Sequence, residues 1–569
     1  MDIEIKIIIA VVVILVLIGI KMVCDEKARR KRMREFLINS WGKSADRNYS
    51  EEQWNAIVSY YKVLEKKAEE SQKHEFVDDI TWNDLDMDEV YQVWNHTRTS
   101  IGEEYLYAAL RRPIASDTEM EERERVITYL LENTQERMYL QEALAEIGKL
   151  ERMSVYDHLE LIQDMKSIGA LPHILAGFCL VGALIGCAFA PEFMVIASIA
   201  IMGGNIISYY QAKAKVDSYI RLFTFILHMV EQCEGVARKK IPGLEKYQDQ
   251  LKKQTSCFGK YRRFCFLVNG GSGMSGDIMD SLMDYIRILF HVDLVKMSTM
   301  IREAKKYEQQ LRIMYDTIGY LDTMLSTASC RIMYGEYCVP QLSHQANGKF
   351  AVTEMYHPLI PEGVRNSITA ERSVLLTGSN ASGKSTFIKT VALNAILAQT
   401  LHTVLAENYQ ASWFCIASSM ALRDDILSQE SYYIVEIRSL KRILDLTRLS
   451  ELPVLCFIDE VLRGTNTVER IAASSRILQA IAEQGGLCFA ATHDIELTYL
   501  LEKEYDNYHF EEQVEDDKVT FDYCLHEGRA CTRNAIRLLK MLGYDEKIVD
   551  DANERVALFL KSGNWVSSH

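Results

Sequence analysis

Proline is scarce in this chain, with eight residues among 569, and glycine is not enriched. The sequence therefore has no long Pro-, Gly- or Ser-rich linker, and we find no short internal repeat. Apolar residues make up 48% of the chain and charged residues 25%, which is typical of chains that fold into packed cores. Because the length exceeds what one domain needs, we expect roughly three or four folded units.

Paired cysteines are missing as well. The thirteen Cys are scattered, and none belongs to a Cys-x-x-Cys pair. This spacing argues against a zinc site or a disulfide framework and favours free thiols in a reducing cytosol. Several of them, such as Cys179, Cys187, Cys456 and Cys488, lie in apolar runs, where buried thiols are common.

Positive charge is also in short supply. Lys plus Arg is 64 and Asp plus Glu is 79, which gives a net charge of −15. Proteins that coat nucleic acid are usually basic, because the neutralisation of phosphates drives their affinity. The total charge therefore argues mildly against a DNA-coating protein, and it leaves a local basic face open.

A long apolar run begins close to the N-terminus. Ile7 to Ile20 is uninterrupted, Lys6 and Lys21 flank it, and a basic stretch follows at residues 27–32. With its lysines snorkelling, such a segment can span a bilayer, and the basic stretch then stays on the cytoplasmic side. The positive charge follows the apolar run instead of preceding it, so we predict an uncleaved anchor and not a signal peptide.

A second apolar region runs from Ala170 to Tyr210, and Pro191-Glu192 divides it into two pieces. Its glycines would permit close contact between two helices. Lys166 precedes the pair and Lys213 follows it, so we predict a transmembrane hairpin that enters and leaves on the cytoplasmic side. The alternative is a buried helical pair in a soluble core. The anchor crosses the membrane once and the hairpin crosses it twice or not at all. The total number of crossings is therefore odd in both cases, and the C-terminal half faces the cytoplasm.

The rest of the chain divides into a helical part and a mixed part. Apolar spacing in 30–165 and 211–335 predicts helices, including Tyr219 to Val230 and Met279 to Tyr315, with a Gly-rich loop at residues 270–273 between them. From about Phe350 onward, short apolar runs alternate with helical stretches. We therefore expect an α/β region with a largely parallel sheet. Its predicted strands are Ser373 to Thr377, Val454 to Ile458 and Leu487 to Ala491.

The first of these strands leads directly into a phosphate-binding motif. Gly378-Ser379-Asn380-Ala381-Ser382-Gly383-Lys384-Ser385 matches G-x-x-x-x-G-K-[ST], and a helical run from Thr386 to Gln399 follows. Backbone amides of such a loop and the start of the helix wrap phosphates. Lys384 should reach the β- and γ-phosphates of ATP, and the Ser385 hydroxyl should bind Mg²⁺.

The other two strands end in residues that would complete an ATPase. Val454 to Ile458 is followed by Asp459 and Glu460. We expect Asp459 to hold Mg²⁺ through water and Glu460 to polarise the attacking water. The third strand ends at Thr492-His493-Asp494, where His493 is placed to sense the γ-phosphate.

These motifs resemble the MutS mismatch-repair ATPase family. Thr377 to Thr386 looks like the family's phosphate loop, with Ala381 where Met is usual. Asp459-Glu460-Val461-Leu462-Arg463-Gly464-Thr465-Asn466-Thr467 is similar to its D-E-x-x-R-G-T-x-T segment, and Ala491 to Leu497 resembles its T-H-x-x-E-L switch. The resemblance implies an α/β P-loop NTPase domain of the ABC-type or MutS kind.

Further segments extend the likeness. Tyr356-His357-Pro358 and Asn366-Ser367-Ile368 stand where the family has elements before the phosphate loop. Thr97 to Gly102 resembles the start of the MutS core, and Tyr320-Leu321-Asp322 resembles the junction into the ATPase. The segments at Leu525 to Gly528, Ala535-Ile536, Gly543-Tyr544 and Ala552 resemble the C-terminal helix-turn-helix.

The resemblance also implies a homodimer with composite sites. Asp424-Asp425 and Ser431 to Glu436 are similar to a family stretch whose Ser reaches the nucleotide of the opposite subunit, so that role falls to Ser431. Gln429 replaces the usual Gly. The mismatch-reading domain with its Phe-x-Glu wedge has no counterpart, since Phe510-Glu511-Glu512 follows the switch His.

We therefore predict a P-loop ATPase domain preceded by a long-helix α domain with transmembrane helices. The predicted divisions are an anchor at 1–24, a helical core-like region at 25–168, a transmembrane hairpin at 169–210, a long-helix region at 211–345, the ATPase at 346–510 and a helical dimerisation segment at 511–569.

Two functions fit these expectations. The first is an ATPase at the cell membrane, facing the cytoplasm, whose dimer closes around DNA, either duplex, mismatched or branched. The second is an ATP-driven membrane mechanoprotein that does not bind DNA. A transporter ATPase would carry an L-S-G-G-Q stretch, which the sequence lacks, and the intact Lys384, Asp459, Glu460 and His493 argue against an inactive scaffold.

Overall fold

The structure is a computed structural model that describes residues 3–44, 47–70, 76–150, 152–165, 169–214, 217–263, 278–344, 348–379, 382–420, 432–462, 466–515, 518–530, 536, 539 and 543–562. The chain forms two compact units. We call residues 1–72, 92–109 and 122–333 the helical unit, and residues 73–91, 110–121 and 334–569 the sheet unit.

The described chain up to residue 334 is helical, with short 3₁₀ turns at Leu161–Gln163 and Ser256–Phe258. The helices are α1 (Ile3–Ser40), α2 (Glu51–Glu70), α3 (Asp79–Asp84), α4 (Met87–Trp94), α5 (Ser100–Arg111), α6 (Asp117–Glu132), α7 (Thr134–Ile147), α8 (Val155–Glu160), α9 (Ala170–Gly186), α10 (Pro191–Lys213), α11 (Asp217–Arg238), α12 (Glu245–Thr255), α13 (Gly259–Arg262), α14 (Ile278–Phe290), α15 (Val292–Lys306) and α16 (Glu308–Tyr334).

The remaining elements alternate between strand and helix. They are β1 (Gln341–Ser343), β2 (Phe350–Met355), β3 (Asn366–Ala370), β4 (Ser373–Thr377), α17 (Lys384–Thr400), β5 (Asn408–Ser412), β6 (Cys415–Ser419), α18 (Tyr432–Leu449), β7 (Val454–Asp459), α19 (Thr467–Glu483), β8 (Leu487–Ala491), α20 (Leu497–Leu500), β9 (Tyr505–Glu515), β10 (Lys518–Glu527) and α21 (Glu546–Ser562).

Within the helical unit, α16 supports the start of α5. The carboxylate of Asp322 is fully buried and accepts hydrogen bonds from the backbone amides of Arg98 and Thr99 and from the Thr99 hydroxyl. A Cβ on Gly102 would lie 2.1 Å from Asp322 Oδ2, so only glycine fits there. Two segments of the family resemblance therefore meet at this contact, and burial raises the pKa of Asp322.

The basic stretch after the N-terminal apolar run is bound to the same unit. Arg29 forms a 2.8 Å ion pair with Glu146 of α7, and Arg34 lies 3.4 Å from Glu142 on the same helix. These pairs are exposed, so each contributes little by itself. Together they fix the second half of α1 along α7, with which it packs.

Helices α9 and α10 form the hairpin expected from the apolar region that Pro191 divides. Its base is fixed by polar contacts to α14 and α15. The Asn205 side chain donates to the Leu289 carbonyl at 2.8 Å, and the Tyr209 hydroxyl donates to Asp293 at 2.8 Å. The nitrogen Nδ1 of His173 lies 2.9 Å from Nδ1 of His291.

Away from its base the hairpin is apolar and exposed. Phe178, Phe189, Phe193, Ile196 and Ile199 are between 65% and 86% accessible. Among the described residues, α10 is long and apolar enough to cross a membrane, by length and composition, whereas α9 is apolar but shorter. Crossing of a bilayer by the N-terminal run and by the hairpin stays a prediction.

One expectation for the helical part is wrong. Met279 to Tyr315 is not a single helix, because α14 ends at Phe290 and α15 ends at Lys306. His291 is buried in a left-handed conformation, with φ of 54°, and its ring is directed at the hairpin base. The contact of His291 with the hairpin base interrupts the helix, and the apolar periodicity of this segment contains no information about that contact. The predicted loop at residues 270–273 lies outside the described residues.

The sheet unit contains the expected parallel sheet. In the described residues it has six strands in the order β10-β9-β4-β8-β7-β6, and only β10 is antiparallel to its neighbour. A smaller sheet has the order β1-β5-β2-β3. The predicted strands at Ser373–Thr377 and Leu487–Ala491 are confirmed, and the one at Val454 extends to Asp459.

Packing explains why these strands have uniform apolar sequences. Every residue of β4, β7 and β8 is buried. Cys456 and Ile458 pack in one cluster with Leu440 of α18 and Leu478 of α19, while α17 contacts β7 and β8 as well. Parallel strands covered by helices lack the alternation of half-buried strands.

Two expectations for the C-terminal part, one boundary and one assignment, differ from the structure. The sheet does not end at residue 510, because β9 and β10 continue it to Glu527. Leu525 to Glu527 therefore belong to a strand and not to a helix-turn-helix, although α21 follows. Most of residues 531–542, which include Ala535 of that resemblance, lie outside the described residues.

Candidate nucleotide site

The phosphate-loop motif sits between β4 and α17, as the sequence predicts. Gly378 has φ of 146°, and a Cβ there would lie 2.9 Å from the Phe510 carbonyl oxygen. Gly383 has φ of 104° and precedes the first residue of α17, Lys384. Both φ values are positive, in a range that residues other than glycine rarely adopt, so both positions need glycine. The helix start adds positive potential at the loop.

Lys384 points into this loop. Its side chain is buried, and Nζ donates to the carbonyl oxygens of Gly378 at 2.8 Å and Ser379 at 2.7 Å. The ammonium group is thus held over the first two residues of the loop. Ser385 and Thr386, which follow it, are exposed.

Ser382 supplies an observation that fits a bound phosphate. Its hydroxyl oxygen is buried and has no hydrogen-bond partner in the part of the chain that the structure describes. A buried polar atom without a partner is costly, and a phosphate oxygen would satisfy it. The loop residues Asn380 and Ala381, also predicted to contact the nucleotide, lie outside the described residues.

Asp459 and Glu460 lie beside the loop because β7 and β4 both neighbour β8. Asp459 is the last residue of β7 and is buried. Glu460 has φ of 57°, and its amide donates to the Ala491 carbonyl at 3.0 Å. The carboxyl ends of parallel strands meet at one edge of a sheet, so Asp459 and Ser385 are the residues that could hold Mg²⁺.

His493 meets Glu460, a contact that the sequence did not predict, because the strands that precede them are neighbours. Nε2 of His493 lies 3.0 Å from Oε1 of Glu460. The Thr492 amide donates to the Leu376 carbonyl at 2.9 Å, which ties the end of β8 to β4. The carboxylate proposed to act on water is therefore oriented by the imidazole ring.

An ion pair fixes the same turn. Arg470 of α19 makes two hydrogen bonds with Asp494, one of 2.9 Å from Nε and one of 2.5 Å from Nη2. The hydrogen bonds to Asp494 raise the pKa of Arg470 further above its usual range. The Asp494 amide also donates to the Thr492 hydroxyl at 3.0 Å. Sequence reasoning did not identify Arg470, whose partner is distant in sequence.

The segment expected to reach a second subunit is described in part. Ser431, Asp424, Asp425 and Gln429 lie outside the described residues. Glu436 of α18 is buried and accepts a hydrogen bond from the Leu462 amide, two residues beyond Glu460. Leu462, with φ of 60°, is left-handed like Glu460.

Two neighbours of the phosphate loop were missed by sequence reasoning. Glu512 of β9 is buried and accepts a 2.6 Å hydrogen bond from the Ser379 hydroxyl. Tyr523 of β10 lies against Gly383, since a Cβ there would be 3.1 Å from Tyr523 Cδ1. Pairing of β9 with β4 and of β10 with β9 brings them to the loop, and their sequence contains no phosphate-site motif.

Asn366 explains the position of Tyr523. Its side chain donates to the Tyr523 carbonyl at 3.0 Å and accepts from the Leu525 amide at 2.7 Å. The register of β10 on β9 shifts between Phe521 and Leu525. At this bulge Tyr523 has φ of 54° and leaves its ring half-exposed.

Comparison with known proteins agrees with this arrangement. Residues 374–559 match the family model of MutS domain V. The chain is similar to proteins named DNA mismatch repair protein MutS. That of Streptococcus sanguinis is 25% identical over 516 residues, covering 82% of this chain and 59% of the relative. That of Thermotoga petrophila is 24% identical over 507 residues, covering 82% and 62%. That of Natronomonas pharaonis is 30% identical over 245 residues, covering 42% and 28%.

These similarities support the MutS family for this chain. The match to MutS domain V contains the end of the phosphate-loop strand, the loop itself, Asp459, Glu460 and His493. It supports an ATPase at the level of the family. The chain spans about three fifths of the length of the Streptococcus and Thermotoga MutS relatives.

Proposed function

We propose that this chain is a MutS-type ATPase held at the cell membrane, with its nucleotide site in the cytoplasm. The observation that carries the proposal is the meeting of three strand ends at one edge of the sheet. The phosphate loop with Lys384 follows β4, Asp459 and Glu460 stand at the end of β7, and His493 follows β8 and contacts Glu460, which supports one shared site.

Each residue has a defined role toward Mg²⁺-ATP. Lys384 exchanges its carbonyl partners for phosphate oxygens, and the buried Ser382 hydroxyl gains a partner. Ser385 and Asp459 hold Mg²⁺, which when bound neutralises charge on the phosphates. Glu460 orients a water molecule and accepts its proton, and His493 fixes the direction of that carboxylate.

The half-exposed ring of Tyr523 adds a platform for the base. It lies next to Gly383, the last residue of the phosphate loop before α17 begins at Lys384. An aromatic ring at this position can stack on a purine. Tyr523 would then contribute to affinity for the nucleoside and not for the phosphates.

Dimerisation and DNA binding are carried over from the family. A homodimer would place Ser431 of one subunit at the nucleotide of the other, and ATP binding would close the two subunits on each other. DNA, whether duplex, mismatched or branched, is the first candidate for the molecule on which the closing dimer acts. The relatives are named as mismatch repair proteins, but the net charge of −15 gives no general affinity for phosphates.

The second candidate is an ATP-driven membrane mechanoprotein that does not bind DNA. The exposed apolar hairpin favours it, because α9 and α10 leave large apolar side chains without a protein cover in the described chain. Such a surface suits a lipid bilayer. The helices beneath it, α14 and α15, would then transmit the nucleotide state to the membrane.

One assay separates these candidates. The full chain, solubilised in detergent, is assayed for ATP hydrolysis alone and with perfect, mismatched and branched duplexes at two salt concentrations. The Lys384→Ala variant, which should not bind nucleotide, controls for contaminating ATPase. Stimulation by DNA that weakens with salt supports the first candidate. Hydrolysis without any response to DNA supports the second, and no nucleotide binding by the wild type refutes both.

A further inference from the structure

A groove of about 610 Å³ opens beside the hairpin in the helical unit. One wall comes from α9 and the other from the junction of α14 with α15. The apolar lining residues are Ile174, Gly177, Phe178, Val181, Phe290, Val292 and Val295. Its apolar composition suits a hydrocarbon chain.

Three cationic residues line the same groove. Lys260 and Arg263 come from α13 and the residue that follows it, and Lys296 comes from α15. Lys260 is exposed, while Lys296 is only 6% accessible. The groove therefore combines apolar walls with a concentration of positive charge, and this combination matches an amphiphile with a negative head.

Buried Lys296 makes the groove more favourable to an anion. Nζ of Lys296 donates to the carbonyl oxygens of Lys260, at 3.1 Å, and of Tyr261. Carbonyl groups at the end of a helix carry partial negative charge and would repel a phosphate. With Lys296 bound to them, that repulsion is offset.

The position of the groove relative to the hairpin agrees with this chemistry. The polar contacts of His173, Asn205 and Tyr209 mark the base of the hairpin, which is packed on α14 and α15. Beyond it, Phe178 is 70% accessible. The groove thus runs from the cationic helix ends toward the exposed apolar part, as a lipid does at the surface of a bilayer.

We propose that this groove binds one anionic phospholipid. An acyl chain lies along the Ile174–Val181 face of α9, and the phosphate contacts Lys260 and Arg263. The inference rests on the membrane part of the proposed function and is independent of ATP hydrolysis. It identifies a class of ligand, a glycerophospholipid with net negative charge, for a site remote in sequence from the phosphate loop.

The test uses the full chain in a neutral detergent and native mass spectrometry. Phosphatidylglycerol and phosphatidylcholine with identical acyl chains are titrated separately, and chain-free glycerophosphoglycerol is added as a competitor. The charge variant is Lys260→Gln with Arg263→Gln, and its matched control is Lys252→Gln with Lys253→Gln on α12, where both lysines are exposed. Val295→Trp fills the groove without changing charge. Binding of Mg²⁺-ATP by each sample checks that it is folded.

We expect phosphatidylglycerol to bind more tightly than phosphatidylcholine. In the charge variant, the affinity for phosphatidylglycerol should fall about thirtyfold. Each cation contributes about 1 kcal/mol, and each 1.4 kcal/mol corresponds to roughly tenfold in affinity. The control variant should bind phosphatidylglycerol as tightly as the wild type, and the Val295→Trp variant should bind neither lipid. Equal binding of both lipids by the wild type, or an unchanged charge variant, would overturn the proposal. Full competition by glycerophosphoglycerol would identify a free-phosphate site instead. Loss of ATP binding in every sample would count against the ATPase and not against the groove.

Discussion

Glu460 combines an uncommon backbone conformation with a direct contact to His493. Its φ of 57° is rare outside glycine and costs free energy, which the hydrogen bond to Ala491 helps to offset. The conformation turns the chain sharply after Asp459, so that two adjacent carboxylates can take different roles. Asp459 is buried at the strand end, and Glu460 reaches the histidine.

The first prediction concerns this carboxylate. Glu460→Ala should bind Mg²⁺-ATP nearly as tightly as the wild type and lower kcat by about 10²- to 10⁴-fold, because a general base contributes that much. Filter binding and single-turnover assays measure the two effects. His493→Gln, which keeps a side chain near Glu460, should lower kcat less. Normal hydrolysis by Glu460→Ala would refute the assignment of the base.

His357, in the segment before the phosphate loop, gives a prediction about pH. Burial lowers its pKa to about 4, and the nearby Lys389 contributes, although Asp86 opposes it. The folded state then binds fewer protons than the unfolded state between about pH 4 and the unperturbed value of about 6.5. This contribution to stability is complete above about pH 6.5 and is lost as pH falls toward 4.

We therefore expect His357→Asn to reduce acid sensitivity. The Asn side chain can still accept the hydrogen bond that the Leu359 amide gives to Nδ1 of His357. Between pH 6.5 and 5, the free energy of unfolding of the sheet unit should fall less in the variant, by on the order of 1 kcal/mol. The unfolding transition that responds to Mg²⁺-ATP is the one to measure. A parallel fall in both proteins would show that His357 is not responsible.

At the scale of elements, the bulge in β10 directs a side chain at the phosphate loop. Tyr523→Ala should raise the Kd for ATP by about tenfold, since stacking of a base on an aromatic ring contributes roughly 1–3 kcal/mol. Tripolyphosphate, which has no base, should bind both proteins equally. Tyr523→Phe should behave like the wild type. Equal loss of tripolyphosphate binding would mean that the substitution disturbs the loop itself.

The ion pair between α19 and the turn after β8 gives a prediction about coupling. Arg470→Gln and Asp494→Asn should each lower kcat several-fold with little change in ATP affinity, because the pair holds the turn that carries His493. The double variant should be no worse than either single one, since residues in one pair act together. A double-mutant cycle on kcat measures this. Additive losses would indicate two separate roles.

The sequence identified the elements of the site more completely than their neighbours. Buried parallel strands have uninterrupted apolar sequences, so β4, β7 and β8 and the residues that follow them were predictable. Glu512 and Tyr523 were not, because strand pairing over long sequence distances brings them to the loop. The break at His291 depends on contacts with the hairpin, which periodicity along one segment does not contain.

At the scale of the whole molecule, the hairpin predicts how the chain partitions. The full chain should remain with membranes after a carbonate wash, and so should a chain lacking residues 1–24, because α9 and α10 expose a large apolar surface. In the shortened chain, Ile196→Asp with Ile199→Asp should release the protein. The control is Leu449→Asp with Val468→Asp, two similarly exposed apolar positions in the sheet unit. Release of the shortened chain without substitutions would contradict the role of the hairpin.

The bond from the Leu462 amide to Glu436 has a consequence for coupling between subunits. Helix α18 starts immediately after Ser431, the residue expected to touch a neighbouring subunit's ligand. In the proposed homodimer, a displacement of that helix end would move Glu436 and the Leu462 amide bound to it, and would change the direction of the Glu460 carboxylate. Each nucleotide site of the dimer would then respond to whether the other site is filled.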